Sequence, residues 1–353
     1  MFTPVESTIG ALLIQSATSS YINLEGKVIG FSSIIYSAIF RPAINNLSIV
    51  FGLFLSTRII RTFLPSVIPP EIAYVGNSPI VYGSPMNYLT AGLLVGLGSS
   101  AGCGCTSGHM LAGFSRLRWR SFIATCTFFT TGVLTNYLVG NSVAFTCQDL
   151  PCYYFDETFS FFRENAITLL GLTFGGFFWS YSALPYISKM LKSFGNSYNR
   201  ALRVISGISS GVLFGCGLLI AGMANPLKVS GFLSIFDISK FDPSLAMIPL
   251  FCILPNIFLW KRWLPQTKEE NELSDEKFLK KPILAKKFDL NFSDNIDKRF
   301  LIGNAIFGIG WGLAGICPGP GILSLFISGP QSKQALWTLG FLMGQFIERH
   351  TSS

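Results

Sequence analysis

Lys27-Val28-Ile29-Gly30-Phe31-Ser32-Ser33-Ile34 returns 201 residues later as Lys228-Val229-Ser230-Gly231-Phe232-Leu233-Ser234-Ile235. The same shift sets Gly10-Ala11-Leu12 over Gly211-Val212-Leu213, and a shift of 212 sets Gly96, Gly98 and Cys105 over Gly308, Gly310 and Cys317. Each half therefore carries the same order: helix, K-V-x-G-F loop, helix, helix, glycine-rich cysteine loop, helix. Repetition at this scale means one structural unit written twice. The halves run over 1–187 and 188–353.

What surrounds these units decides their solvent. The 353 residues are 50% hydrophobic and 12% charged, and mean hydropathy is +0.49. A soluble protein carries roughly 25% charged residues. The charges are also bunched, with 18 of the 44 between Lys261 and Arg299. The rest of the chain is too poor in charge to clothe a water-facing surface of this size. A soluble enzyme, a disordered chain and, despite the net charge of +8, a nucleic-acid binder are excluded. The first ionisable side chain is Glu6 and the first basic one is Lys27, so the start does not read as a secretory signal.

The expectation is an all-α polytopic membrane protein. A spanning helix needs about 17–25 mostly apolar residues. Nine stretches qualify, near 8–24, 44–63, 87–102, 120–140, 166–187, 203–223, 244–262, 299–315 and 333–348. Four apolar pieces, 28–40, 107–114, 229–236 and 320–327, are too short and follow Gly or Pro breaks. They read as re-entrant loops, tolerated at membrane depth only where protein or a cavity encloses them. Five spans separate corresponding points of the halves, so the repeats are inverted, with a site expected near the midplane. Of the 26 Lys and Arg, six (Arg58, Arg61, Arg163, Lys228, Lys240 and Lys333) fall on one side and twenty on the other. By the positive-inside rule the richer side, with the C-terminus, is cytosolic and the N-terminus is outside. The 261–299 stretch mixes both signs and reads as a solvated cytosolic loop.

The chemistry sits at the two cysteine breaks, Gly102-Cys103-Gly104-Cys105-Thr106-Ser107-Gly108-His109 and Gly315-Ile316-Cys317-Pro318-Gly319-Pro320-Gly321. Each places a thiol just before a short apolar segment. If that segment is helical, its free N–H groups and positive dipole end attract anions and favour thiolate. A soft thiol beside such a nest suits a guest containing sulfur. His109 lies four residues after Cys105, placed either to take its proton or to be a satisfied interfacial side chain. Lys228 reads as an anion attractor and Lys27 as either that or an interfacial anchor. Arg116, Arg118 and Arg120 read as topology determinants. Cys126, Cys216 and Cys252 read as small hydrophobes within helices. Cys147 and Cys152 lie in an external loop where a local disulfide is one reading. Gly92/Gly96, Gly171/Gly175 and Gly211/Gly215 have the spacing of packed helices. No zinc-type spacing or nucleotide motif accompanies these residues, so no metal or cofactor is expected.

Gly104-Cys105-Thr106-Ser107-Gly108-His109, with Gly113-Phe114-Ser115-Arg116-Leu117 and Arg120-Ser121 after it, resembles the signature of the YeeE/YedE sulfur-transport family. Gly222 through Leu233, Phe241-Asp242-Pro243-Ser244-Leu245-Ala246 and Gly308 through Pro320 resemble the second half of that signature. The resemblance covers nearly the whole chain apart from 141–165 and 261–299. It implies nine spans and four embedded loops pinched to an hourglass waist. It also implies uptake of thiosulfate or a related compound, handed between cysteines by transient S–H···S contacts. Cys105 and Cys317 match two of the family's three relay cysteines. The third belongs in the first loop, where this chain has Ile29. The expected cargo is therefore a small sulfur-bearing anion rather than thiosulfate alone. Gly104, Thr106, Ser107, Gly108, His109, Lys228, Pro318 and Gly319 are the expected binding residues. The expected partners are the anion, the bilayer and a cytosolic sulfurtransferase. Rival readings are a narrow channel for a neutral solute such as hydrogen sulfide, and a membrane thiol oxidoreductase using Cys103 and Cys105.

Overall fold

Proline and left-handed glycine punctuate the chain. The computed structural model describes residues 2–68, 84–139, 158–192, 196–238, 240–272 and 281–351. Cys147 and Cys152 lie outside the described residues. The described residues are helical, with one isolated bridge between Lys27 and Asp289 and no strand. In the first half, α1 (Pro4–Glu25), α3 (Ile44–Phe63), α4 (Pro85–Ala101) and α6 (Trp119–Leu138) are long. Two short helices interrupt them, α2 (Phe31–Phe40) and the π-helical α5 (Ser107–Gly113). A helical run then joins the halves: α7 (Thr158–Phe178), a π turn (Trp179–Ala183) and α8 (Leu184–Lys192).

Next come α9 (Asn196–Ile220), the short α10 (Pro226–Leu233), and α11 (Leu254–Lys261) behind a π turn (Pro249–Ile253). A one-turn α12 (Lys268–Glu272) follows, then α13 (Lys298–Ala314), the short α14 (Pro318–Ser328) and α15 (Lys333–Thr351). The stretches Ile44–Phe63, Phe161–Lys192, Tyr198–Ile220, Pro243–Lys261 and Lys298–Ser328 are long and apolar enough to cross a membrane. The four short helices fall where the sequence places its short apolar pieces, within three residues at each end.

Local chemistry sets these boundaries. Proline occupies the first turn of α1, α4, α10 and α14, where its missing N–H costs no hydrogen bond. The Asn225 and Asp297 side chains accept from Leu227 N and Phe300 N at 3.0 and 2.7 Å and so cap α10 and α13. Left-handed Gly26 and Gly315 stop α1 and α13, and Gly222 turns the chain beyond α9. At Gly315 a Cβ would also stand 2.5 Å from Pro226 O, so the α13 break and α10 interlock through bare backbone.

The main seams are α4 on α15, α3 on α9, α4 on α13, α6 on α13 and α1 on α9. Glycines sit on these seams: a Cβ at Gly92 or Gly96 would strike the backbone of Trp337 or Phe341, and one at Gly211 that of Ile49. Backbones this close gain dispersion contacts that lipid cannot supply. Gly171 and Gly175 differ, because a Cβ there would meet nothing within 4 Å. Their small-residue spacing is not a helix seam.

The charged stretch departs from the expectation of a solvated loop. Residues 281–297 fold back as a strap across one end of the bundle. Leu284 and Phe288 are buried, Leu284 N donates to Leu24 O at 2.8 Å, and Asp289 N donates to Gly26 O at 2.8 Å. Ile283, Leu284, Phe288, Leu290 and Phe292 supply the apolar surface that the intervening lysines obscure in the sequence.

Candidate thiol site between two loops

Cys105 closes the loop after α4 and starts the turn into α5, its carbonyl accepting from His109 N at 2.8 Å. Its thiol lies 3.3 Å from Ser107 Oγ, and that hydroxyl accepts from Phe31 N at 3.0 Å. One serine thus ties the thiol to the start of α2. Cys317 caps α14, its carbonyl accepting from Gly321 N at 2.8 Å. The Cys317 thiol lies beside Thr106 and within electrostatic reach of Cys105. Two loops 212 residues apart in sequence therefore bring their cysteines into one neighbourhood. Both are sealed from water, at 1% and 2% exposure. Burial of this kind exacts a desolvation cost from any uncompensated charge placed there.

Pro318 and Gly319 form the first turn of α14 beside the thiols. A Cβ on Gly319 would stand 3.0 Å from the Phe31 ring, which is itself braced edge-on by Phe214 at 4.8 Å. Gly104 and His109 lie behind the loop: a Gly104 Cβ would be 2.7 Å from His109 Nε2. Nε2 donates to Gly102 O at 2.9 Å, and Nδ1 lies 3.3 Å from Ser121 Oγ. A carbonyl only accepts, so Nε2 carries the proton. Both ring nitrogens are engaged away from Cys105, which makes His109 a satisfied brace of the turn rather than a base. Gly108 lines the cavity described below.

Lys228 is not with the thiols. It is half-buried, donates to Thr3 Oγ1 and has Asp242 and Glu6 within electrostatic reach. Its surroundings therefore include acidic side chains as well as the lysine read from sequence as an anion attractor. Ile29, at the place of the absent third cysteine, is buried just before α2.

The sequence reading missed Trp311. It sits one turn before Gly315, which donates its N–H to Trp311 O at 2.8 Å. The indole is packed against Phe128 and Phe129, and its buried Nε1 has only the Cys317 thiol, a weak acceptor, beside it. A buried donor so poorly served costs stability. No sequence pattern marks it; only the position four residues before the left-handed glycine could have done so.

The arginines also differ from the sequence expectation. A cavity of about 410 Å³ opens beside α2 and α5, lined among others by Cys103, Gly104, Gly108, His109, Arg116, Arg118 and Arg120. The strap closes one wall: Arg116 Nη2 donates to Asn291 O at 3.2 Å, and Arg118 Nη2 to Phe292 O at 2.6 Å. Burial, with Arg118 alongside, pushes the Arg116 guanidinium down to about 10, so it stays charged at neutral pH.

Two family models match the chain. Residues 4–135 match a family model described as sulphur transport, and residues 202–351 match one described as a family of unknown function (DUF6691). Two proteins named probable transporter, from Xylella fastidiosa strains 9a5c and Temecula1, are 36% and 37% identical over 132 and 127 residues. These alignments span 36% and 35% of this chain and 79% and 74% of the relatives. A further probable transporter of strain Temecula1 is 31% identical over 134 residues, 37% of this chain and 92% of its own length. The chain belongs to the YeeE/YedE sulphur-transport family. Its two related regions are joined in one polypeptide, and it is an integral membrane transporter.

Proposed function

We propose that this YeeE/YedE chain imports a small sulfur-bearing anion, thiosulfate or a close relative, by passing it between Cys317 and Cys105 at a central constriction. The observation supporting this most is the shared neighbourhood of Cys105, Thr106 and the Cys317 thiol, in which residues of two separate loops meet in one water-excluded zone. Sulfur is a weak hydrogen-bond acceptor, and neutral S–H groups are matched weak donors. Such contacts bind a sulfur guest loosely enough to release it, as conduction requires.

In this reading α1, α3, α4, α6, α7–α8, α9, α11 with its leading π turn, α13 and α15 cross the bilayer. The helices α2, α5, α10 and α14 re-enter it. The halves 1–187 and 188–353 are inverted copies, which brings the two cysteine loops to the waist from opposite faces. The strap and C-terminus are cytosolic and the N-terminus is outside, following the lysine and arginine bias. The anion meets Cys317 first, then Cys105, and leaves through the arginine-lined cavity to a cytosolic sulfurtransferase.

The test is growth on thiosulfate as sole sulfur source in a host lacking its own uptake system. The intact chain restores growth, whereas Cys105→Ser and Cys317→Ser, at matched membrane expression, do not. Growth of both variants at the normal rate contradicts the relay and favours a thiol-independent channel for a neutral sulfur solute.

A further inference from the structure

The arginine-lined cavity has more positive charge than its neighbours answer. Lys27 pairs with Asp289 at 3.5 Å, and Arg118 with Asp294 at 2.6 Å. Arg116 and Arg120 meet no carboxylate among the described residues. Arg116 is only 8% exposed and has the Asn291 carbonyl and the face of Phe292, centred 5.3 Å away, for company. Arg120 lies 4.2 Å over the Phe300 ring, with its buried Nε lacking any hydrogen-bond partner. Residues that only fix topology reach outward to headgroups or water. These two turn inward to a cavity of about 410 Å³.

Buried guanidinium groups without counter-ions are costly and demand a partner. Carbonyl oxygens and aromatic faces hold such groups in position without neutralising them. Guanidinium forks fit planar or tetrahedral oxyanions, through paired N–H donors.

We propose that Arg116 and Arg120 form a second anion site, separate from the thiol pair, for a small divalent oxyanion of the sulfate and sulfite class. Lys27 and Arg118 complete the positive rim. The site lies at the cytosolic mouth, beyond Cys105, and so rests on the orientation proposed above for its transport role. There it holds a departing oxyanion after the thiols release it, and oxyanion accumulating in the cytosol occupies it and slows further import. Cys103 opens into the same cavity and reports on its occupancy.

The experiment is a scintillation proximity assay with [35S]sulfate on the full chain in detergent, with chloride replacing unlabelled sulfate at equal ionic strength. Saturable binding is expected, displaced by sulfite and by phosphate but not by chloride. Arg120→Gln and Arg116→Gln each weaken it tenfold or more, and Arg120→Lys recovers part of it. Equal binding by the Arg116→Gln/Arg120→Gln double variant, or no saturable binding by the intact chain, overturns the proposal. If the glutamine variants do not fold, the rate of Cys103 alkylation in the intact chain decides. Slowing by sulfate and not by chloride supports the site. Slowing only by phosphatidylglycerol marks a lipid-headgroup site and overturns it, as does no slowing at all. Binding needs no transport, so a failed cysteine relay leaves these outcomes readable.

Discussion

The Thr106 hydroxyl, from the first half of the chain, lies beside the Cys317 thiol of the second. This crossing contact joins the two cysteine loops. Thr106→Val keeps the side-chain shape and deletes the hydroxyl that can bond the thiol. A net hydrogen bond is worth about 1 kcal/mol, so initial thiosulfate uptake falls about fivefold at unchanged expression, and Thr106→Ser restores most of it. Unaltered uptake by the valine variant means the contact is only packing.

Trp311→Phe separates a guest-binding role from a structural one. The phenyl ring keeps the apolar contact with Phe128 and Phe129, and the deleted N–H has no partner in the protein beyond the Cys317 thiol, a weak acceptor. If that donor serves a passing oxyanion, KM for thiosulfate rises about tenfold while the melting temperature in detergent holds or rises. A lower melting temperature with normal KM assigns the indole to packing.

Gly315→Ala strains the α13 break in two ways. Alanine resists the left-handed φ of 65° by about 1–2 kcal/mol, and its methyl would press on Pro226 O at 2.5 Å. The thermal midpoint falls by several degrees. Gly171→Ala has open space around its methyl and gains helix propensity of about 1 kcal/mol, so its midpoint is unchanged or higher. Equal behaviour of the two variants contradicts the interlock of α13 with α10.

The orientation is read from Cys103, the exposed thiol that lines the arginine-rich cavity. In a variant whose other cysteines are serine, a membrane-impermeant maleimide labels inside-out vesicles and spares right-side-out ones. The reverse pattern inverts the proposed topology.

Much of this was legible in the residues. Hydropathy and proline and glycine breaks located the long and short helices because apolar length and backbone punctuation act locally. The 212-residue shift picked out Cys105 and Cys317, which the fold brings together. The same shift sets Cys103 over Gly315, and the residue does adopt a left-handed φ of 57°. What sequence could not supply was direction. Lys228 is a basic residue in any reading of the sequence, but only the fold shows Glu6 and Asp242 within its electrostatic reach. His109 has a suitable ring four residues from Cys105, yet its nitrogens face Gly102 and Ser121. The strap was hidden because its apolar residues are short runs broken by Lys286, Lys287, Asp289 and Asn291 within a charged stretch, which reads as solvated loop.

The central claim is that the anion passes between the Cys105 and Cys317 thiols. Its most direct test is the initial rate of [35S]thiosulfate uptake into proteoliposomes holding equal amounts of the intact chain, Cys105→Ser, Cys317→Ser or the exposed control Cys126→Ser. The account predicts at least a tenfold loss in each of the first two variants and none in the control. Full rates in both Cys105→Ser and Cys317→Ser would contradict it.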